Sequence, residues 1–314
     1  MKIEQKIKKN KFIQYIFKHT ELSLCIFHPI MYAKYLRNIK KFRGIQVLNI
    51  EDSIRYLSRN HVSVSRFGDG EFRWILGIDH DSFQIDSDEL SKRLKEVLES
   101  SDSKEHVVAI PDVFSGVSDL TKDDAWSWIN LINNYGAQWL PMFTPKKLYL
   151  DANITRPYID RADKSKSEKY FAEFKTIWKG RDVLIVEGEK TRFGVGNDLL
   201  NSASSVCRIV CPATNAFSKY STIRKAVENE CYLKNKLVLV ALGPTATVLC
   251  YDLCKSNIQS IDVGHLDVEY EWFTSGETVK RPVPGKYVNE VKDGRSVDDE
   301  VNPQYRSEII EEIK

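Results

Sequence analysis

Short apolar runs alternate with longer stretches of helical period through most of this chain, and that alternation limits the fold more than any other feature. Runs at 62–65, 106–110, 147–150, 182–186, 205–210, 236–242 and 260–263 read as strands. The stretches 88–98, 123–139, 167–178 and 245–255 carry helical spacing, as in Leu90, Leu94, Val97 and Leu98. A further helix starts at Glu51-Asp52-Ser53. Strands separated by helices of this length predict parallel βαβ units, hence an α/β, Rossmann-like, mostly parallel sheet with flanking helices. The 314 residues, 42% hydrophobic, suffice for a core without disulfide staples. Six cysteines, none in a CxxC, read as reduced thiols of a cytoplasmic protein. From Thr274 the pattern fades into Pro, Gly and charge, which predicts a course over the surface. Three parts follow: a basic amphipathic segment (1–46), a body (47–290) and a C-terminal tail (291–314).

In such folds ligands sit outside the carboxyl ends of the strands. The first loop there is Arg66-Phe67-Gly68-Asp69-Gly70-Glu71. Gly68 and Gly70 allow a sharp bend and close approach of a ligand. Asp69 and Glu71 form an Asp-x-Glu pair able to hold a hard divalent cation, and Arg66 suits a phosphate. A tight turn with solvated acids is the plain alternative. Gly243, Pro244 and Thr245 follow the run 236–242 and open a helix whose free N–H groups suit an anion. Glu187 to Asp198 follows another strand, with Arg192, Gly194, Gly196 and Asn197 between. It is no dinucleotide fingerprint, because position 199 is Leu rather than a third glycine. Asp112, and Asp151 to Pro157 with Thr155 and Arg156, occupy two more strand ends. In the segment 264–272, strict alternation predicts an extended course with His265, Asp267, Glu269 and Glu271 on one face. That face would offer His265 as metal or phosphate partner and Asp267 or Glu269 as a base.

The net charge of +2 is unevenly spread. Residues 1–44 hold eleven Lys and Arg against Glu4 and Glu21, a formal +9, which leaves −7 for the rest. No nucleic-acid-binding module is recognisable, so nucleic acid is not expected as a partner. The run 22–33 lacks Asp, Glu, Lys and Arg but is too short to span a bilayer. Flanking lysines and aromatics fit a segment lying on an anionic membrane at its cytoplasmic face. The alternative is a helical hairpin packed on the body or, in a homo-oligomer, on a second subunit.

Five stretches together carry a resemblance: Arg66 to Glu71, Asp151 to Tyr158, Phe193 to Asp198, Leu242 to Ala246 and Gly264 to Phe273. They resemble the GT-D fold glycosyltransferases, a family long catalogued as a domain of unknown function that includes bacterial enzymes extending glycans on adhesins. The similarity covers residues 47–290, including Pro282 to Tyr287, and leaves 1–46 outside. It implies a Rossmann-like domain, a UDP-sugar donor, a glycan acceptor on a protein or lipid carrier, and Mn²⁺ or Mg²⁺ on an Asp-x-Glu motif. That motif falls on Asp69 and Glu71. The expected reaction is hexosyl transfer to an acceptor hydroxyl. The expected donor contacts are Arg66 to Gly70, Asp112, Thr155, Arg156, the 187–198 loop and the 243–245 turn. Two rivals are a nucleotide-sugar or glycan binding module without catalysis and a dinucleotide-dependent oxidoreductase. The intact carboxylates oppose the first and the missing glycine fingerprint opposes the second.

Overall fold

Val183 to Val186 and Leu237 to Val240 have no polar side to turn to water, so both faces of these strands must be covered. The computed structural model describes residues 20–78, 83–85, 87–100, 103–232, 234–297 and 302–314. Among them, nine parallel strands form one sheet: β1 (Gln46–Val47), β2 (Ser63–Arg66), β3 (His106–Ile110), β4 (Leu148–Asp151), β5 (Asp182–Gly188), β6 (Ser205–Cys211), β7 (Leu237–Ala241), β8 (Ser260–Asp262) and β9 (Ile309–Glu312). Their order across the sheet is β1-β4-β3-β2-β8-β7-β5-β6-β9. The helices are α1 (Thr20–Phe27), α2 (Pro29–Ile39), α3 (Ile50–Asn60), α4 (Asp69–Ile75), α5 (Asp88–Glu99), α6 (Lys122–Trp139), α7 (Ser167–Ile177), α8 (Tyr220–Cys231), α9 (Pro244–Lys255), α10 (Leu266–Thr274) and α11 (Pro303–Glu308).

Helices cover both faces. On one, Ile54 and Leu57 of α3, Phe171 and Phe174 of α7 and Trp272 of α10 pack on Val64, Ile185 and Leu239. On the other, α5, α6 and α9 close over Val108 and Ile110, while α8 and α9 close over Val186 and Val240. Local chemistry sets several helix starts. Asn49 accepts a hydrogen bond from the Asp52 N–H and Ser87 from the Leu90 N–H, each satisfying a free donor of the first turn.

The strand order places the site. β2 leads on to β3 and β4 on one side, whereas β8 lies on the β7 side and the chain beyond it ends in β9 at the far edge. The sheet therefore reverses between β2 and β8, where the loops part and leave a crevice. Arg66 ends β2 and Asp262 ends β8.

Two expectations change. The segment from Leu266 is helical, not extended: α10 turns Asp267 and Glu271, four apart, to one side and Glu269 to another. An alternating run inside a buried setting can fold either way, and here packing on α7 decides. The chain beyond Thr274 is also more than a surface tail, since β9 adds an edge strand beside β6. The N-terminal residues 20–42 pack on the body. Tyr35 and Phe42 are buried, Tyr35 Oη donates to Val113 O at 2.9 Å, and the His28 ring stacks on Trp126. Residues 1–19, which carry much of the basic charge, lie outside the described residues.

Candidate active site

A cavity of about 800 Å³ opens at the carboxyl ends of the strands. Its middle is formed by the β2 and β8 exits. Gly68 is the residue before α4, so the two carboxylates of the Asp-x-Glu pair fall in the first turn of a helix. Asp69 is largely exposed to the cavity, its side chain 60% accessible. Glu71 is buried, and its Oε2 accepts the Gly68 N–H at 2.7 Å. Burial pushes the Glu71 carboxyl up from its ordinary range, and the Arg66 guanidinium opposes that shift. Arg66 donates from Nε to Ala152 O at 3.1 Å, which anchors it across the crevice. Gly264 is needed beside it: φ is +45°, and a Cβ there would stand 2.9 Å from Thr155 Oγ1 and 3.2 Å from Arg66 Cζ.

Asp262 joins this group. It is 3% exposed and accepts from the Arg66 N–H at 3.3 Å and the Gly264 N–H at 3.1 Å. Burial, with Arg66 opposing and Glu71 adding repulsion, pushes its carboxyl up to about 7. Asp262 was not among the expected site residues, although the strand-end rule that singled out the other loops applies equally to the last residue of β8.

One end of the cavity is framed by small residues at the ends of β5, β6 and β7: Gly188, Ala213 and Gly243. Gly243 has φ +53° and a Cβ there would meet Phe83 at 2.4 Å, so only glycine fits. The opposite end carries charge. Arg156 pairs bidentately with Glu290 at 2.6 and 2.7 Å and reaches Asp160 at 2.7 Å. Lys280 bonds Asp160 at 3.0 Å and Glu290 at 2.7 Å, and His265 Nδ1 lies 2.5 Å from Glu290 Oε1. Burial opposes charge on Arg156, but Glu290 and Asp160 raise it well above its ordinary value. Burial likewise works against the Glu290 carboxylate, and Arg156 and His265 outweigh it. Asp160, Lys280 and Glu290 lie far from any strand end in sequence, so no local signal marks them.

The structure separates the expected residues. Arg66, Gly68, Asp69, Gly70, Glu71, Arg156, Gly243, His265 and Asp267 line the cavity. Phe67 does not: it is fully buried against Phe72. Thr155 and Pro244 are buried as packing, and Thr245 is buried with Oγ1 unbonded among the described residues. Asp112 faces a second, polar cavity with Asp151 and Arg161. The 187–198 loop is scaffold rather than lining at most of its marked positions. Glu187 is buried, bonding Arg208 at 2.7 Å and accepting the Phe193 N–H at 2.6 Å. Arg192 donates to Gly285 O at 2.7 Å. The Gly194 N–H and Asn197 Nδ2 both donate to Asp267 Oδ1, Gly196 turns at φ +83°, and Asp198 bonds Lys175 at 2.9 Å.

The two proposed bases are also engaged. Asp267 is 2% exposed, its Oδ2 2.6 Å from Lys286 Nζ. Glu269 is fully buried and accepts from the Tyr158 and Ile159 N–H groups at 3.0 and 2.9 Å. A carboxylate so enclosed cannot reach an acceptor.

Among the described residues no three His, Cys, Asp or Glu side chains gather closely enough to hold a metal ion by themselves. Mg²⁺ and Mn²⁺ sites need not do so, because one or two carboxylates plus phosphate oxygens of a substrate suffice. Asp69 and Glu71 fit such a cation, because burial pushes the Glu71 and Asp262 carboxyls up and a cation beside them would offset that cost.

Comparison with known proteins agrees with this architecture. Residues 64–291 match the family model described as Glycosyltransferase GT-D fold. The chain is 38% identical over 268 residues to "Probable glycosyl transferase Gly" of Streptococcus gordonii, covering 85% of this chain and 39% of that protein. It is 36% identical over 276 residues to "Glycosyltransferase GlyD" of Streptococcus pneumoniae serotype 4, covering 86% and 33%. The chain thus spans well under half the length of these curated relatives. A solved structure described as "The highly conserved domain of unknown function 1792 has a distinct glycosyltransferase fold" superposes with a TM-score of 0.84 at 39% identity, over 89% of this chain and all of that one. Another, "A New Glycosyltransferase (DUF1792) from Streptococcus sanguinis", gives 0.81 at 38% identity, over 86% and 100%. With most of its length matched in sequence and in fold, this chain belongs to the GT-D fold family of glycosyltransferases.

Proposed function

We propose that this chain transfers a hexose, glucose or a relative, from a UDP-sugar to a hydroxyl of a glycan carried on protein or lipid. The observation that carries the reading is the placement of Asp69, Glu71 and Arg66 at the β2–β8 switch point, between a small-residue end and a charged end of one cavity. Backbone and small side chains at Gly188, Ala213 and Gly243 leave room for the nucleotide diphosphate. Asp69 and Glu71 would hold Mn²⁺ or Mg²⁺, and the ion would supply Lewis-acid neutralisation of the departing diphosphate. Arg66, fixed by its bond to Ala152 O, adds preorganised positive charge toward the same oxygens. His265 stands at the cavity wall with Nδ1 held between Arg156 Nη1 at 2.7 Å and Glu290 Oε1 at 2.5 Å.

A screen of UDP-, GDP-, dTDP- and CMP-sugars, with and without Mn²⁺, scored for slow donor hydrolysis, tests this without knowledge of the acceptor. UDP-sugar hydrolysis that needs the metal is expected. Tight NAD binding with no UDP binding by calorimetry would overturn it.

The basic N-terminus places the enzyme on an anionic membrane surface in this reading. Among the described residues no helix is long and apolar enough to cross a membrane. The α1–α2 turn nevertheless leaves Ile26, Phe27 and Ile30 exposed, Ile30 by 83%, with Lys34, Arg37, Lys40 and Lys41 following. Each basic residue near such a surface contributes about 1 kcal/mol, screened by salt. Flotation with phosphatidylserine vesicles is expected for the full chain and should fall in the double variant Ile26→Asp, Ile30→Asp. Equal flotation of both would remove the membrane from the reading.

A further inference from the structure

Transfer to a hydroxyl needs a group to take its proton when configuration inverts, and neither Asp267 nor Glu269 is available. The charged end of the cavity narrows the choice. Besides the solvent-exposed Asp123, three carboxylates from separate elements stand there: Asp124, Asp160 and Glu290. Asp160 and Glu290 are consumed by Arg156 and Lys280, and Glu290 also by His265. Asp124 differs. It is half-buried in the first turn of α6, whose Ser127 and Trp128 also reach the cavity. Among the described residues no hydrogen bond or ion pair engages its carboxylate. A half-buried carboxylate left unpaired beside a ring of paired charges loses hydration without compensation, a cost commonly met at functional sites.

We infer that Asp124 is the general base that receives the acceptor hydroxyl proton in a single displacement with inversion. The inference rests on the glycosyl-transfer reading above. The acceptor O–H bond breaks, and its proton passes to a carboxylate oxygen of Asp124. The acceptor oxygen bonds to the anomeric carbon from the face opposite the leaving group. The bond between that carbon and the diphosphate oxygen breaks, and its electron pair leaves on UDP. Asp124 then returns the proton to water.

The surroundings suit the task. Burial, followed by repulsion from Asp160, pushes the Asp124 carboxyl up to about 7; Arg156 and Lys280 oppose, and Asp69 adds. Asp160 and Arg156 face it from the segment after β4, Lys280 from the segment after α10, Asp69 from α4, and Lys122 and Asp123 adjoin it on its own helix. A base with its pKa near the working pH is the most effective.

The test uses the full chain, the donor it hydrolyses and water as acceptor. Asp124→Asn should lower hydrolysis on the order of 10²–10⁴-fold, with UDP affinity by calorimetry unchanged. The fall of wild-type kcat/KM at acid pH should disappear in the variant. Azide, a nucleophile with no proton to lose, should accelerate the variant but not the wild type, and the glycosyl azide should have inverted configuration by NMR. Hydrolysis by the variant within a few-fold of wild type would overturn the assignment. So would absence of azide rescue with UDP binding intact, or a wild-type product of retained configuration, a readout that needs no variant. Failure of the wild type to bind UDP would instead defeat the underlying reading.

Discussion

Two loops of this protein look alike in sequence and do opposite things. Arg66 to Glu71 and Glu187 to Asp198 both leave a buried parallel strand, and both mix glycine, arginine and acids. The first puts Arg66, Asp69 and Glu71 on the wall of the cavity at the sheet's switch point. The second lies three strands further along, beyond β8 and β7, and spends its polar groups inward. Its Glu187 closes on Arg208, its Arg192 on Gly285 O, and its Gly194 and Asn197 on Asp267. The difference teaches that phosphate-type composition marks a strand end, whereas position relative to the switch point decides between lining the cavity and bracing the fold.

That contrast can be broken by substitution. The largest effect belongs to the scaffold loop. Arg208 is 2% exposed, and Arg208→Ala leaves Glu187 as a buried, unpaired charge. Removal of one partner of such a pair costs about 3–5 kcal/mol, so urea unfolding should show a loss of that order. A change within 1 kcal/mol, on the order of surface substitutions, would mean the loop is not scaffold.

The site loop should behave in the reverse way. Asp69→Asn or Glu71→Gln should cut metal-dependent donor turnover by about 10²-fold or more, near 3 kcal/mol, with the unfolding midpoint nearly unchanged for the exposed Asp69. Near-normal turnover without added metal would remove that carboxylate from the site.

A smaller effect separates scaffold from site by pH. His106, at the amino end of β3, is buried with Nε2 2.8 Å from Ser65 Oγ, and burial, with Lys147 and Lys255, holds it down at about 3. The unfolded chain takes up this proton below about 6.5 and the native state does not, so the contribution is present above that pH and is lost as pH falls toward 3. Between pH 6.5 and 5 the loss is about 2 kcal/mol. His106→Gln should flatten the dependence of unfolding free energy on pH over that window; an unchanged slope would show that His106 does not set it.

The finest test stays within the scaffold loop. A Cβ at Gly194 would meet Leu200 Cδ1 at 2.4 Å, whereas at Gly196 it would meet nothing within 4 Å, and both have positive φ. Gly194→Ala should therefore destabilise by about 1 kcal/mol more than Gly196→Ala in paired thermal melts. Equal losses would show that backbone conformation alone governs the loop.

The sequence by itself determined the layered parallel sheet. Runs such as Val183 to Val186 and helical stretches such as 88–98 are local patterns, and burial on both faces follows from them. It also determined the Asp-x-Glu pair, because two residues apart in one turn must lie near each other wherever the chain goes. It did not determine the state of 264–272, since alternation suits a strand until packing on α7 makes a helix of it. Nor did it determine which acids are free. Asp124, Asp160 and Glu290 are distant in sequence and meet only because β4, α6 and the segment after α10 converge on one cavity. Whether a carboxylate holds a structure together or is left facing a cavity depends on partners that tertiary structure alone supplies, as Glu269 under two backbone N–H groups and Asp124, with no such bond among the described residues, both show.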